Sequence, residues 1–268
     1  MGRSTEPCTV WRYDASGGMR PPAEDAVAAE EPLEIRVAGR SVSVTMRTPG
    51  HDDELALGFL VGEGLIRGRG DVVHVRPCDI AQGGSVDVLV APHVPIDFAS
   101  LTRHVFASSS CGICGSATID AVRRRWPRLE GGPRVSASTL LCLPTRLRAG
   151  QAAFDRTGGI HAAGLFSEEG LPLAIREDVG RHNAIDKLVG RALLDSQLPL
   201  ERHLLMVSGR ISFEIVQKAL AAGIRLVAAV SAPSSLAVDL ATETGITLVG
   251  FLREGRFNVY SHPHRIDA

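Results

Sequence analysis

Leu204-Leu-Met-Val207, Ser208-Gly-Arg-Ile-Ser212, a helix-patterned segment over 212–222, Gly223 and Leu226-Val-Ala-Ala-Val230 form the stretch whose reading decides the fold. An unbroken apolar run of four or five residues fits a strand buried on both faces. Ile215, Val216, Ala219 and Leu220 share one helical stripe, and Gly223 stops the helix. Strand, polar joint, amphipathic helix, glycine and strand again is the pattern of a sheet with helices laid on it.

The same pattern continues on both sides. Strand-like runs are Ile160-His-Ala-Ala-Gly-Leu-Phe166, Leu173-Ala-Ile175 and Ile246-Thr-Leu-Val249. Helices are predicted over 181–194, with Ile185, Leu188, Val189 and Ala192 on one stripe, and over 235–244, with Leu236, Leu240 and Ala241. Phe257-Asn-Val-Tyr260 adds an edge strand. Residues 151–268 therefore read as an αβα sandwich with a largely parallel sheet. In such a sheet the strand-to-helix joints meet at the carboxyl edge, where ligands bind. The joints here are Arg176-Glu-Asp-Val-Gly-Arg-His-Asn183, Ser208-Gly-Arg-Ile-Ser212 and Ser231-Ala-Pro-Ser-Ser235. Gly180-Arg181 and Gly209-Arg210 set a small residue and a cation at helix starts, a seat for an anion or phosphate. No P-loop and no G-x-G-x-x-G is present. For any single joint, helix capping and an ion pair such as Asp178–Arg181 explain the residues as well; three joints of one chemistry favour a crevice.

His161, in Thr157-Gly-Gly-Ile-His-Ala-Ala-Gly164, reads as a hydrogen-bonded core histidine or a ligand. The tract has the histidine of the H-x-E found in zinc nucleobase deaminases, but Ala163 stands where the glutamate would be. The C-x-x-C also precedes the histidine instead of following it. The deaminase fold is therefore open to this chain while its chemistry is not. Glu177 and Asp178 are adjacent, so at least one is expected to be structural.

Upstream, residues 1–31 read as a loop or tail with a short strand at Thr9-Val-Trp-Arg-Tyr13. A hairpin follows over 32–46 around Ala38-Gly39. Then come a helix from a capping Asp52 to about Ile66 and strands at Asp71–Arg76 and Ser85–Val90. This is a small α+β module within 1–95. Residues 96–150 link the halves and hold the basic run Arg123-Arg-Arg-Trp126 and the loop Ser108-Ser-Ser-Cys-Gly-Ile-Cys-Gly-Ser116. Glycines beside Cys111 and Cys114 leave their backbone accessible, and a helix start after Cys114 lowers a thiol's pKa. On residues alone three readings stand: a zinc half-site completed by Cys78, Cys142, His161 or His182; a redox dithiol; or a carrier whose thiolate accepts a group and hands it on.

The 268 residues are 44% hydrophobic and 22% charged, enough for a sizeable core. A net charge of -1 gives no electrostatic case for nucleic acid or an anionic membrane. Five cysteines at irregular spacings make no disulfide framework and fit a reducing cytoplasm. Neither a signal peptide nor a membrane span is expected.

Taken together, Ser109–Gly115, Thr157–Ala163, Glu177–Lys187, Ser208–Glu214 and Ser231–Ser235 resemble, in that order, the formate dehydrogenase accessory family FdhD/NarQ, from about residue 30 to the end. The resemblance implies a sulfurtransferase that takes persulfide sulfur from a cysteine desulfurase. It passes the sulfur to the molybdenum of the bis-molybdopterin guanine dinucleotide cofactor for formate dehydrogenase. It also implies a cytidine-deaminase-like αβα domain, a smaller N-terminal β-grasp-like α+β domain, a homodimer and no resident metal. Cys111 would carry the persulfide and Cys114 assist. The guanine contact would fall on Phe251, Leu252, Arg253, Glu254, Gly255 and Arg256, with GDP or GMP as analogues. The crevice with Arg181 and Arg210 would hold the cofactor's phosphates, with His161, Gly180, His182, Ser208, Gly209 and Ser231 among the cofactor-binding residues. The long Ala/Pro-rich start departs from the family. A zinc-dependent nucleotide hydrolase and a cofactor-binding chaperone without catalysis are the competing functions.

Overall fold

The computed structural model describes residues 4–80, 83–98, 122 and 125–267. The cysteine loop, 108–116, lies outside them.

The chain begins with β1 (Thr5–Val10), β2 (Tyr13–Asp14), β3 (Gly18–Met19) and β4 (Ala23–Ala28), where mostly loop or tail was expected. β1 pairs antiparallel with β4, and β2 with β3. No residue of these strands is fully buried, so the ribbon is held by its backbone ladder more than by a core. That is why apolar periodicity does not reveal it.

The hairpin β5 (Glu31–Val37) and β6 (Arg40–Arg47) turns at Ala38-Gly39 as expected. Helix α1 (Asp52–Gly62) ends before the predicted Ile66 and is not capped by Asp52. His51 holds the N-cap position at φ 58 without a side-chain cap bond. Asp52 is drawn away by Arg47, whose Nε and Nη2 donate to its two oxygens at 2.9 and 3.0 Å. After β7 (Val72–Ile80) and β8 (Gly83–Val90), the four strands form one sheet in the order β6-β5-β8-β7. β5 and β8 are parallel at its centre, and α1 covers one face.

Two-residue β9 (Val135–Ser136) precedes α2 (Ala137–Ala149), which lies in the stretch expected to link the halves. Ser136 caps α2 by accepting from the Thr139 N–H. The remaining elements are α3 (Ala152–Thr157), β10 (His161–Phe166), β11 (Pro172–Asp178), α4 (Arg181–Leu194), β12 (Leu204–Val207), α5 (Phe213–Ala221), β13 (Leu226–Ala229), α6 (Ser235–Thr244), β14 (Thr247–Arg253), β15 (Arg256–Ser261) and β16 (Ile266–Asp267). The large sheet has the order β11-β10-β12-β13-β14-β15. It is mixed, not largely parallel: only β12–β13 and β13–β14 run parallel. The reason is connection length. Five residues join β10 to β11 and two join β14 to β15, too few for the crossover that a parallel pair needs.

Both faces of this sheet are covered. Leu205, Val207, Val227 and Ala229 pack with α4, α5, α6 and α1, in a cluster that continues to Leu33, Ile35 and Val88 of the small sheet. Leu204, Met206, Leu226 and Ala228 point the other way, against Leu140, Leu143 and Leu147 of α2. The unbroken apolar runs are thus two alternating sets, each serving its own core.

α1 and α4 cross with their backbones nearly touching. A Cβ on Gly58 would fall on the Asp186 carbonyl oxygen, and one on Gly190 on that of Glu54. Gly58→Ala should therefore lower the free energy of unfolding by about 3 kcal/mol, the upper end for overpacking. Urea denaturation beside Gly68→Ala, whose added Cβ meets nothing within 4 Å, measures it.

Candidate functional site

The carboxyl ends of β12 and β13 and the start of β10 meet at one edge. Because β10 runs antiparallel to β12, His161 at its start lies beside the turn that follows Val207. Ser208 closes this junction: its N–H donates to the Ala162 carbonyl at 2.9 Å and its Oγ accepts from the Ala162 N–H at 2.8 Å. A Cβ on Gly209 would lie 3.4 Å from His161 Nδ1 and 3.7 Å from Arg181 Cδ, so these three residues form one cluster. Burial first and Arg181 second push the His161 pKa down, against the pull of Asp178.

Asp178 is the anchor beneath. It is fully buried and pairs with Lys187 Nζ at 2.6 Å, not with Arg181 as the sequence suggested. Its other acceptor positions take the N–H groups of Gly180 at 2.8 Å and Thr48 at 3.2 Å and the Asn183 amide at 2.9 Å. Lys187 Nζ also donates to the Thr48 carbonyl at 2.8 Å. Both charges are thus satisfied by groups from the residue after β6, the β11–α4 loop and α4. Glu177 is structural as well: it receives the Ala153 and Phe154 N–H groups, both at 2.8 Å, and caps α3. The adjacent carboxylates share no site.

Freed from Asp178, Arg181 stands at the α4 start with its Nε enclosed and without a hydrogen-bond partner among the described residues. Arg210 is exposed. His182 approaches Ser212 Oγ at 3.1 Å. The third joint is tied to the last hairpin, where the Phe251 N–H donates to the Ser231 carbonyl at 3.1 Å and Phe251 adopts φ 52. Leu252 differs from its neighbours: its side chain is wholly inside the core beneath α2, so it offers a ligand only backbone. Arg253, Glu254, Gly255 and Arg256 form the exposed turn between β14 and β15.

On the α2 side the edge opens into a cleft of about 1020 Å³ that His161 and Ser208 share with Arg148, Gln151 and Phe154. These last three went unread in the sequence, because they sit on α2, on α3 and between them, outside every strand-to-helix joint. Among the described residues no three His, Cys, Asp or Glu side chains cluster to hold a metal ion.

The profile of the FdhD/NarQ family matches residues 28–267. The chain belongs to the FdhD/NarQ family. A protein named sulfur carrier protein FdhD from Streptomyces coelicolor is 55% identical, with 99% of this chain and 97% of that protein covered. Its namesake from Mycobacterium tuberculosis is 51% identical over 90% of this chain and 92% of its own length. A crystal structure of a candidate formate dehydrogenase accessory protein from Desulfotalea psychrophila superposes with a TM-score of 0.79 at 24% identity, covering 99% of this chain and all of that one. It shares the fold. No helix among the described residues of this FdhD/NarQ member is long and apolar enough to cross a membrane.

Two titrations in this family member oppose each other. Burial, then Lys218 and Arg181, push the His182 pKa down to about 4. Unfolded, the imidazole binds its proton near 6.5, so the stability held above that pH drains away as pH falls towards 4. Burial pushes the Asp186 carboxyl up to about 6, against the attraction of Lys218. It takes a proton earlier in the folded state, so stability rises as pH falls from 6 towards the unfolded value. His182→Gln removes only the first effect. Between about pH 7.5 and pH 5 this variant should lose less stability than the parent chain, read by urea midpoints; an equal change would detach His182 from the pH response. Lys187→Met should be more damaging, about 3–5 kcal/mol by the same measurement, because it strands Asp178 charged and buried.

Proposed function

We propose that this chain is a sulfur carrier of the FdhD/NarQ family, a sulfurtransferase acting in formate dehydrogenase maturation. The observation that carries this reading is the near full-length match to proteins named sulfur carriers, together with the Cys111-Gly-Ile-Cys114 tetrad. Cys111 thiolate attacks the outer sulfur of a persulfide on a cysteine desulfurase. The donor's S–S bond breaks as the new one forms, and the donor leaves as a thiolate. Cys114 protects or relays the persulfide, and the sulfur goes to the molybdenum of the bis-molybdopterin guanine dinucleotide, here a substrate. Arg181 and Arg210 at the helix starts bind its phosphates, with Ser231 and the 251–256 segment beside the guanine end. The small sheet, with its parallel central pair and covering helix, supports a β-grasp-like domain, and the doubly covered mixed sheet a cytidine-deaminase-like one. A cytoplasmic homodimer completes the reading.

Intact mass after incubation with a desulfurase and cysteine should show one added sulfur, absent in Cys111→Ala. Cys111→Ala should also fail to activate formate dehydrogenase while melting normally. A soluble Cys111→Ala chain that activates fully would make the protein a cofactor-binding chaperone instead.

A further inference from the structure

The basic run that ends at Arg125-Trp126 takes no part in the crevice. In the chain it follows the cysteine loop: Cys114 precedes Arg125 by eleven residues, a reach of at most about 40 Å. From Arg125 the backbone passes along the amino ends of β13 and β14, the opposite edge of the large sheet from the crevice. Arg125 donates to the Glu63 carbonyl, and its guanidinium lies over the Trp126 ring, 5.6 Å from the centroid. The Leu129 N–H donates to the Thr244 carbonyl, just before β14, at 2.8 Å.

Gly132 then lays this segment against two further arginines. Its φ is 117°, and a Cβ there would lie 2.8 Å from Arg265 Nε and 2.9 Å from Arg225 Cδ. Arg265 is only 4% exposed, and its hydrogen bonds go to neutral oxygens, the Gly131 carbonyl at 2.6 Å and Thr247 Oγ1 at 2.9 Å. Among the described residues no carboxylate pairs with it. Arg225 pairs with Glu201 at 3.2 Å, but its Nε is enclosed without a hydrogen-bond partner among the described residues. Burial first, then Arg225 and Arg128, lower the Arg265 pKa. A guanidinium held inside without a counter-ion keeps its field, and little salt screens it before it reaches the surface.

The outer layer carries the same sign. Arg125 and Arg128 are exposed, and the Arg134 side chain is 71% exposed although it pairs with Asp267 at 2.6 Å. The carboxylates that share this segment or pair with these groups are Glu130, Glu201 and Asp267, three against five arginines. In a chain of net charge -1 this is a local excess of positive charge. Acids set among the arginines, with the flat Trp126 beside them, suit the mixed surface of another protein better than a row of phosphates. Arginine and tryptophan are also the anchors that protein interfaces favour.

We propose that this arginine face at the amino edge of the large sheet seats an acidic surface of the protein that supplies sulfur to Cys111. The assignment rests on the carrier reading, which calls for such a donor. The cofactor joints occupy the other edge, and this face is the one within chain reach of the thiol. Its arginines steer the donor and hold it; they take no part in the exchange of sulfur.

Sulfur loading of Cys111, read by intact mass against increasing concentrations of the organism's own cysteine desulfurase, tests the face. Arg128→Glu with Arg134→Glu should raise the desulfurase KM about tenfold and leave kcat unchanged. Arg128→Glu alone should do so less, and it serves if the double variant does not fold. Raising salt from about 50 to about 300 mM should slow loading of the parent chain more than of the variant. Glutathione persulfide, a donor too small to need docking, should load parent and variant alike. Unchanged desulfurase KM and salt response in the folded variants would overturn the assignment, as would unchanged kinetics beside lost affinity for a DNA duplex. If glutathione persulfide loads Cys111 while the variants match the parent with desulfurase, the face falls and the carrier stands. If no donor loads Cys111, the carrier falls; calorimetric binding of desulfurase that the double variant loses would then still keep the face.

Discussion

A lysine and an aspartate removed from water hold this molecule's parts in register. Lys187 and Asp178 are costly to bury, and the arrangement works only because neighbouring groups satisfy both ions. Those groups come from Thr48 at the end of the small sheet, from Gly180 in the crevice loop and from Asn183 on α4. One ion pair therefore fixes the N-terminal module, the β11–α4 loop and the α4 start together. Arg181, whose Nε has no hydrogen-bond partner among the described residues, is displayed towards Gly209 and His161.

Around that pair the two halves join through further buried charges and through bare backbone. Glu54 of α1 takes two hydrogen bonds from Arg176 of β11, at 2.6 and 2.8 Å, and within the C-terminal half Asp186 of α4 takes two from Lys218 of α5, at 2.7 and 2.8 Å. Gly58 and Gly190 let the helices approach until only backbone separates them. Charge pairing sets the orientation, and the absence of side chains sets the distance.

Much of the fold was legible because burial imposes period on sequence. The strands β12, β13 and β14, the helices between them and the β5–β6 hairpin follow from apolar runs, stripes and glycine stops. The N-terminal ribbon was not legible, because exposed strands carry no such period. Strand direction was misread where the length of the connections, which the sequence does contain, would have corrected it. Of the site, the joints were legible as clusters of Gly, Ser, Arg and His. The Asp178–Lys187 pairing was not, since residues nine apart in sequence meet only when a strand turns into a helix. Gln151 carries no motif at all; it reaches the cleft only because the chain bends between α2 and α3 there.

The crossing of α1 and α4 also has a consequence for how the chain is made. Their partner surfaces are separated by about 120 residues, from Gly62 to Arg181. At ordinary ribosomal speeds α4 follows α1 into being on the order of ten seconds later. During that wait α1 has the small sheet on one side, but the face that carries Gly58 has no α4 to close against. A nascent chain in this state is a natural client for chaperones that shield apolar helices.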